Sequence, residues 1–445
     1  MSELKHLART IFDRTLCAID IPAAFARKLS RSATALACGD DVFDLAQFER
    51  IRAIAFGKAA VDMARSLLAT LSFDSSGAAH RAPHVEGILV APSLPAEPVP
   101  GFRAIAAGHP LPDDGSLEAG RAILDLLAGC DRLTLVFFLL SGGGSSLVEL
   151  PLDSRVTLAD VQSLHRALVT CGASIEEINV VRKHVSAVKG GRLAAAAPHA
   201  TKITLGISDV PDGRESALAS GPTLPDPSTV VDARRIVRRY GLAEKLPASL
   251  AQKFAPGGDL PETPKPGDPA FRRAHFALVL GMHDLIHPAH CAAESCGCIT
   301  ICDNSTDDWP VARAADHLLL QLARIRDANP GRRVAVIADG EISSPVTGDG
   351  VGGRNSAFVL DCVSKIAGQP IAVLSAGTDG IDGSSPAAGG VADGESLERA
   401  RALGLDPADF QRRSDSYSFF NALGDAIETG PTGNNLRDLR ILIAE

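Results

Sequence analysis

The stretch LTLVFFLLSGGGSS, residues 133–146, is the part of the sequence that most strongly constrains the fold. An apolar run without polar alternation leads directly into a loop of three glycines and three serines. Two more apolar runs end similarly: residues 202–207 lead into SDVPDG, and residues 371–374 lead into SAGTDGIDG. Such runs predict strands that are buried on both faces, as in parallel sheets. Because these sheets bind ligands beyond the carboxyl ends of their strands, we expect the three loops to form one polar, phosphate-binding site.

Strand-like and helix-like patterns alternate along the chain, which indicates an α/β fold with helices on both faces of a parallel sheet. The chain has 445 residues, enough for two domains that each bury a core. Prolines and glycines accumulate between residues 241 and 270. We therefore predict an N-terminal domain over residues 1–240, a connecting segment over 241–270 and a second α/β domain over 271–445, with a cleft between the domains.

Composition argues against several classes of function. The chain carries 44 basic and 53 acidic side chains, a net charge of -9, which disfavours nucleic acid as a partner. The longest apolar run, residues 133–140, is far shorter than the roughly 20 residues of a membrane span. The nine cysteines are dispersed and odd in number, which is typical of the cytoplasm. Four of them lie between residues 291 and 302, but their spacing does not match a zinc site, so a structural role is favoured over a metal site.

The glycine-serine loop is the first candidate for binding an anion. Exposed glycine amides followed by the start of a helix favour a phosphate or a carboxylate, although a tight turn is the alternative. The candidate binding residues of this loop are Ser141, Gly142, Gly143, Gly144, Ser145 and Ser146.

Basic side chains supply the second group of candidates. Lys58 follows an apolar strand pattern at a strand-to-helix junction, where a lysine can reach a phosphate. A helix is predicted over residues 176–197, and Arg182, Lys183 and Lys189 lie on one of its faces. This basic face either binds an anion or is simply solvated.

Two pairs of aspartates follow the other two apolar runs. Asp209 and Asp212 form one pair, and Asp379 and Asp382 form the other. Carboxylates at a phosphate site commonly hold Mg²⁺, and one of them could instead accept a proton from a substrate hydroxyl. Turn formation by aspartate before glycine is the alternative. Asp209, Asp379 and Asp382 are the candidate metal ligands.

The segment GDGVGGRN, residues 348–355, contains a GxGxxG match. No strand pattern leads directly into it, so a dinucleotide site is only weakly indicated. A glycine loop that opens a helix with Arg354 fits better, because arginine binds phosphate or carboxylate with two parallel hydrogen bonds.

Taken together, these motifs resemble the class II glycerate kinases, whose C-terminal part is the MOFRL domain. The resemblance rests on long segments in the family's order: AFGKAA, AGHPLPDD, LLSGGGSSLVELP, INVVRKHVSAVKGGRLA, SDVPDG, ASGPTLPDPST, ETPKPGDP, GDGVGGRN, SAGTDGIDGSSPAAG, SDSYSFF and TGPTGNNLRDL. They extend from about residue 55 to residue 439, nearly the whole chain.

The resemblance implies two α/β domains, a larger Rossmann-like N-terminal domain and a C-terminal MOFRL domain, with the active site in the cleft between them. It implies transfer of the γ-phosphoryl group of ATP to the 2-hydroxyl of D-glycerate, with Mg²⁺. Lys58 and Arg354 occupy the positions of the family's essential basic residues, and Asp209 and Asp379 match its acidic ones. A homodimer is compatible with this interpretation, since nothing in the sequence sets the oligomeric state.

Three segments depart from the family pattern. Ser356 and Ala357 follow the Gly-Gly-Arg-Asn motif, Asn434 lies in the motif near the end, and His283 stands where a small or amide residue is common. An NAD(P)H-dependent hydroxypyruvate reductase is the competing hypothesis, because similar sequences carry that label. A metabolite-binding relative without catalysis is the third.

Overall fold

A computed structural model describes residues 2–72, 84–208, 210, 213–281, 283–434 and 436–445. The chain forms two compact units. One comprises Ile21–Val279 and is called the parallel-sheet unit below. The other comprises Met1–Asp20 together with Leu280–Glu445 and is called the mixed-sheet unit.

Sixteen α-helices and fifteen strands are assigned within the described residues. The helices are α1 Glu3–Ala18, α2 Ile21–Lys28, α3 Ala60–Ser72, α4 Asp114–Ala128, α5 Gly144–Leu147, α6 Leu158–Thr170, α7 Ile175–Val185, α8 Arg192–Ala196, α9 Val230–Arg239, α10 Ala248–Phe254, α11 His283–Ser295, α12 Val311–Ala328, α13 Arg354–Lys365, α14 Ser396–Ala402, α15 Pro407–Arg412 and α16 Ser416–Leu423. The strands are β1 Leu29–Arg31, β2 Ala35–Cys38, β3 Asp41–Asp44, β4 Arg50–Phe56, β5 Val85–Ala91, β6 Phe102–Ala106, β7 Thr134–Leu140, β8 Thr201–Ile207, β9 Ala274–Leu280, β10 Ile299–Cys302, β11 Val334–Asp339, β12 Ile371–Gly377, β13 Gly389–Asp393, β14 Ala426–Ile427 and β15 Asp438–Ala444.

The parallel-sheet unit confirms the predicted α/β class. Its main sheet has the strand order β6-β5-β4-β7-β8-β9, and the pairings from β6 to β8 are parallel. All seven residues of β7 are buried, as the apolar run in the sequence predicts. Strands β7 and β8 are neighbours that run in the same direction, so the loops after Leu140 and Ile207 leave the same edge of the sheet. A separate antiparallel sheet is formed by β1, β2 and β3.

The mixed-sheet unit corrects one expectation. Its sheet has the order β10-β11-β15-β12-β13-β14, and β12 is antiparallel to both β15 and β13. The run at residues 371–374 therefore does not belong to a parallel sheet. All seven residues of β12 are buried, and a strand that is covered on both faces is apolar whatever the direction of its neighbours. Strands β11 and β12 both pair antiparallel with β15, so their carboxyl ends still leave the same edge.

The N-terminal helix α1 belongs to the mixed-sheet unit, whereas the sequence placed residues 1–240 in one domain. Lys5 is fully buried, and its ammonium group lies 2.6 Å from Asp425 and 3.5 Å from Asp393. Ile11 and Phe12 on the same helix are also fully buried. This helix is far in sequence from the groups that it contacts, so its own pattern cannot reveal them.

Residues 241–270 are packed within the parallel-sheet unit, rather than dividing the chain as expected. Leu242, Leu250 and Phe254 join a buried apolar cluster with residues of α6, α7 and α9. The many prolines of this stretch suggested a linker, but its apolar side chains provide part of a core.

The helix expected over residues 176–197 is also shorter than predicted. Helix α7 ends at Val185, and α8 begins only at Arg192 after Gly190 and Gly191, which have φ values of 58° and 83°. The basic residues therefore do not share one helical face, because the backbone leaves the helix between them.

Lys183 and Lys189 are held by internal carboxylates. The ammonium group of Lys189 is 2.5 Å from Glu149, and that of Lys183 is 3.4 Å from Asp226. Both lysines are at most 5% exposed. Their expected role in binding an external anion is therefore incorrect, since each is already used to neutralise a buried acid.

Arg182 lies beside the same buried acid. It lines a cavity of about 10 Å³ together with Glu149 and His165. Burial opposes ionisation of Glu149, but Lys189 and His165 outweigh it and lower the pKa of this carboxyl to about 2. Arg182 thus lies next to a buried charge pair, and its role in binding an anion stays a prediction.

None of the described helices is long and apolar enough to cross a membrane. The nine cysteines form no disulfides, and Cys298 is buried. In the part of the chain that the structure describes, no three His, Cys, Asp or Glu side chains are grouped so that they could hold a metal ion.

We expect Lys5→Ala to lower the free energy of unfolding of the mixed-sheet unit by about 3 kcal/mol, because it leaves buried carboxylates with fewer cations. Trp309 is the chain's one tryptophan and packs against the core of this unit. Urea unfolding monitored by its fluorescence measures the change. Arg412→Ala removes an exposed pair with Asp409 and should cost under about 1 kcal/mol. Equal losses in the two variants would contradict the assigned role of Lys5.

Candidate active site

In the parallel-sheet unit, the turn between β4 and α3 packs tightly against the loop after β7. Gly57 has a φ of 128°, and a Cβ there would lie 2.1 Å from the hydroxyl of Ser141. Only glycine permits this approach. The amide of Ala59 donates to Ser141 Oγ at 3.0 Å, and the amide of Lys58 donates to the carbonyl of Gly142 at 2.9 Å. Ser141, a predicted binding residue, is thus 1% exposed and supports the turn instead.

The loop keeps part of its expected capacity for anions. Gly144 and Ser146 are buried, and the hydroxyl of Ser146 donates to the carbonyl of Gly143 at 3.2 Å. The accessible members are Gly142, Gly143 and Ser145. Within the described residues, the backbone N–H groups of these three find no acceptor. Backbone N–H groups without an internal acceptor, placed together, favour a negatively charged ligand.

Lys58 and His109 border this loop. A Cβ on Gly143 would lie 3.6 Å from Cγ of Lys58 and 3.1 Å from the His109 ring, so both side chains pass close to the backbone here. Lys58 itself is exposed and lies between the end of β4 and the start of α3, as predicted. Burial and the charge of Lys58 lower the pKa of His109, which favours its neutral form. His109 was missed as a site residue, although it belongs to the quoted segment AGHPLPDD.

Ser145 is positioned by a chain of hydrogen bonds. Its hydroxyl lies 2.8 Å from that of Ser220, which in turn donates to Asn179 Oδ1 at 2.9 Å. Ala219 and Ser220 have φ values of 50° and 62°, an uncommon conformation for residues other than glycine. Strained backbone of this kind tends to occur at functional sites. No pattern in the sequence pointed to Ser220, which lies in the segment ASGPTLPDPST.

The second predicted loop of this unit can be followed only to Ser208, which is buried after β8. Asp209 and Asp212 lie outside the described residues. Their roles therefore stay as predictions.

In the mixed-sheet unit, Arg354 is the first residue of α13, which confirms that the glycine loop opens a helix. Its Nε lies 2.5 Å from Asp438, and its Nη2 lies 2.7 Å from Glu341. Burial disfavours the charged form, but Asp438 and Glu341 outweigh it and raise the pKa of Arg354. The guanidinium remains about one third exposed, so it is oriented by acids while part of it faces solvent.

Asp379 and Asp438 border one point of the backbone at the end of β12. A Cβ on Gly377 would lie 3.1 Å from Asp379 Oδ1 and 3.3 Å from Asp438 Oδ1. Glycine at this position therefore makes room for two carboxylates. Asp379 also accepts from the amide of Ile381 at 3.0 Å, so turn formation and a charged site coexist here.

Asp382, a predicted metal ligand, has a different environment. It is 1% exposed, and its two oxygens accept from the amides of Asn355 and Ser356 at 2.9 and 2.8 Å. The Ser356 hydroxyl donates to it as well, at 2.6 Å. Burial raises the pKa of Asp382. This carboxylate anchors the N-terminus of α13 and is withdrawn as a metal ligand, because its oxygens are already occupied.

Asp339 is a further acidic residue at the end of β11 that sequence reasoning missed. It is 1% exposed, and neither carboxylate oxygen has a hydrogen-bond partner among the described residues. Burial outweighs the neighbouring charges of Arg437 and Arg440 and raises the pKa of Asp339.

The GxGxxG match at residues 348–353 is not arranged as a dinucleotide loop. Strand β11 ends at Asp339, nine residues before the first glycine of the match. A dinucleotide fingerprint instead follows its strand directly, so that the pyrophosphate reaches the helix N-terminus.

Comparison with known families covers both units. Residues 7–255 match the model described as "Domain of unknown function (DUF4147)", and residues 334–438 match the MOFRL family.

Comparison with individual proteins gives a consistent result. The chain is 35% identical to the D-glycerate 2-kinase of Thermotoga maritima, over 88% of this chain and 90% of that protein. It is 38% identical to a putative hydroxypyruvate reductase of Agrobacterium vitis, over 81% of each chain. The crystal structure of a glycerate kinase from Thermotoga maritima superposes with a TM-score of 0.84 at 32% identity, covering 99% of both chains. The chain therefore belongs to the MOFRL family of glycerate kinases.

Proposed function

We propose that this protein transfers the γ-phosphoryl group of ATP to the 2-hydroxyl of D-glycerate, giving 2-phosphoglycerate and ADP. The observation that carries the proposal is the 35% identity to a D-glycerate 2-kinase over nearly the full length of both proteins. The local chemistry agrees with it, because a glycine loop with available amides lies beside a lysine. Its substrates are small molecules, and we place the reaction in the cytoplasm because the nine cysteines are all free thiols.

The glycine-serine loop would hold a phosphate or the glycerate carboxylate through the amides of Gly142, Gly143 and Ser145. Lys58 would add a positive charge beside the same loop. Phosphoryl transfer requires mainly that groups be positioned and that charge be neutralised, and fixed amides and a lysine do both. Ser141, Gly144 and Ser146 support this arrangement from within.

Arg354 would neutralise charge on the transferring phosphoryl group or bind the glycerate carboxylate. Its ion pairs with Asp438 and Glu341 hold the guanidinium in place before a substrate arrives.

In the mixed-sheet unit, Asp379 fits Mg²⁺ better than Asp382 does. Asp379 is partly exposed just after β12, whereas Asp382 is saturated with internal hydrogen bonds and Asp438 is paired with Arg354. A magnesium ion held by one or two carboxylates would neutralise phosphate charge. Asp209 stays a proposed ligand or proton acceptor.

His109 would accept a hydrogen bond from a substrate hydroxyl and would be a further candidate to take its proton. Its lowered pKa keeps the ring neutral near pH 7, and only the neutral ring has an acceptor nitrogen. This role adds a residue to the predicted site without replacing Asp209 or Asp379 as proton acceptors.

Hydroxypyruvate reduction is the weaker candidate. The name occurs among the relatives, but the one GxGxxG match does not follow a strand. A coupled assay decides between the two: ADP formation from ATP and D-glycerate supports the kinase, whereas NADH oxidation by hydroxypyruvate without ADP formation would replace it with the reductase.

Replacing Lys58 or Arg354 by alanine should lower kcat at least about 10²-fold while the fold is kept, because each change removes a charge that stabilises the transition state. Steady-state kinetics with ATP and D-glycerate measures the change. Lys245→Ala, at an exposed position, is the matched control. Wild-type turnover in either variant would remove that residue from the site. If kcat of the double variant is little lower than that of either single variant, the two residues act at the same step.

His109→Asn should lower kcat about 10²-fold near pH 7, since an amide cannot take a proton from a hydroxyl. The wild-type rate should fall as the pH drops through the lowered pKa of His109, below 6.5, because protonation removes the acceptor. The variant should lack this inflection. His199→Asn, on the surface, is the control. If the wild type and the His109 variant lose activity in the same way at low pH, that loss is due to another group.

Asp379→Asn should raise the Mg²⁺ concentration needed for half-maximal activity about tenfold or more. Asp382→Ala should leave this requirement unchanged and lower the free energy of unfolding by about 1–2 kcal/mol, because it removes a helix cap. Activity against Mg²⁺ concentration and urea unfolding separate the two effects. A shifted Mg²⁺ requirement in the Asp382 variant would return that residue to the metal site.

A further inference from the structure

A second polar cavity lies in the parallel-sheet unit, where strands β4 and β5 begin. Its volume is about 530 Å³, within the range of small-ligand sites. The charged groups that line it are Arg31, Glu49, Arg50, Arg52, His84 and Glu86. Each of these strands has seven residues, so the cavity is about 20 Å from the glycine-serine loop at the other end of the strands. The reaction proposed above makes no use of it.

Arg31 is the unusual member of this cavity. It ends β1, and only 8% of its surface is exposed. Its Nε and Nη1 have no hydrogen-bond partner, and no carboxylate in the described part of the chain forms an ion pair with it. A buried cation without an acceptor is costly, so an arginine for which the described residues offer no acceptor is suited to bind an anionic ligand.

The other two arginines are partly neutralised. Arg50 lies 2.5 Å from Asp131, and Arg52 lies 3.3 Å from Glu86 and also donates to a backbone carbonyl. Of the three arginines, Arg31 is therefore the one without an ion pair among the described residues; His84 and the carboxylate of Glu49 also line the cavity. A guanidinium presents parallel N–H groups that match the oxygens of phosphate and carboxylate.

We propose that this cavity binds a small anion that carries a phosphate or a carboxylate group, with Arg31 as its principal ligand. The site lies at the amino edge of the sheet and is separate from the phosphate-binding loop at the carboxyl edge. It does not depend on which reaction the protein catalyses.

Isothermal titration with inorganic phosphate, and separately with succinate, tests the site on the full-length protein. Arg31→Gln should weaken binding of the preferred anion about 10- to 100-fold, the effect of losing charge-assisted hydrogen bonds. Arg103→Gln removes an exposed arginine of the same sheet, paired with Glu118 at 2.6 Å, and should bind as the wild type does. The more strongly affected of the two probes identifies the chemical class. Unchanged affinity of Arg31→Gln for both anions would overturn the proposal.

Two further variants keep the result unambiguous. If Arg31→Gln does not fold, as judged by circular dichroism, Arg50→Gln at the exposed rim takes its place and should weaken binding at least about threefold. Unchanged binding there would equally overturn the site. Lys58→Ala should weaken only the binding at the glycine-serine loop. Failure of that variant to change phosphate binding would count against the proposed catalytic loop, while the Arg31 result would stand by itself.

Discussion

The close contact between Gly57 and Ser141 is the constraint on which the candidate site of the parallel-sheet unit depends. Strands β4 and β7 are paired in parallel with Phe56 opposite Leu140, so the two segments that follow them must share the same small space. A side chain at Gly57 would overlap the serine hydroxyl. Because the glycine permits the approach, backbone hydrogen bonds connect the segments, and Lys58 is placed beside Gly143.

Charged residues of this chain have two distinct uses. Lys5, Lys183 and Lys189 are buried against carboxylates and hold distant segments together. Lys58 and Arg354 keep part of their surface exposed at the ends of strands. Burying a charge without a partner is costly, so the deep lysines are committed to the fold, whereas Lys58 and Arg354 can still be reached by a ligand. Asp382 is likewise buried and committed to the fold, whereas Asp379 lies close to the backbone of Gly377.

In the mixed-sheet unit, the ends of two strands also lie at the same edge of the sheet, but the topology is different. Strand β15 lies between β11 and β12 and runs against both, so these two strands point the same way without being neighbours. Asp438, the first residue of β15, is thereby placed between the ends of the other two strands and pairs with Arg354. A carboxylate from near the C-terminus thus orients an arginine that is 84 positions earlier in the chain.

Local chemistry along the chain was sufficient to recognise the strands, the α/β class, the glycine-serine loop, the junction at Lys58 and the helix that Arg354 opens. Each of these follows from a short stretch whose backbone preferences and apolar pattern act over a few residues. Pairings between distant segments required the folded chain: the direction of β12, the place of α1, the buried partners of Lys183 and Lys189, the cap made by Asp382, and the position of His109 beside Gly143. A lysine or an aspartate has the same sequence signature whether it meets solvent or a buried counter-charge, and that difference arises only when remote segments pack together.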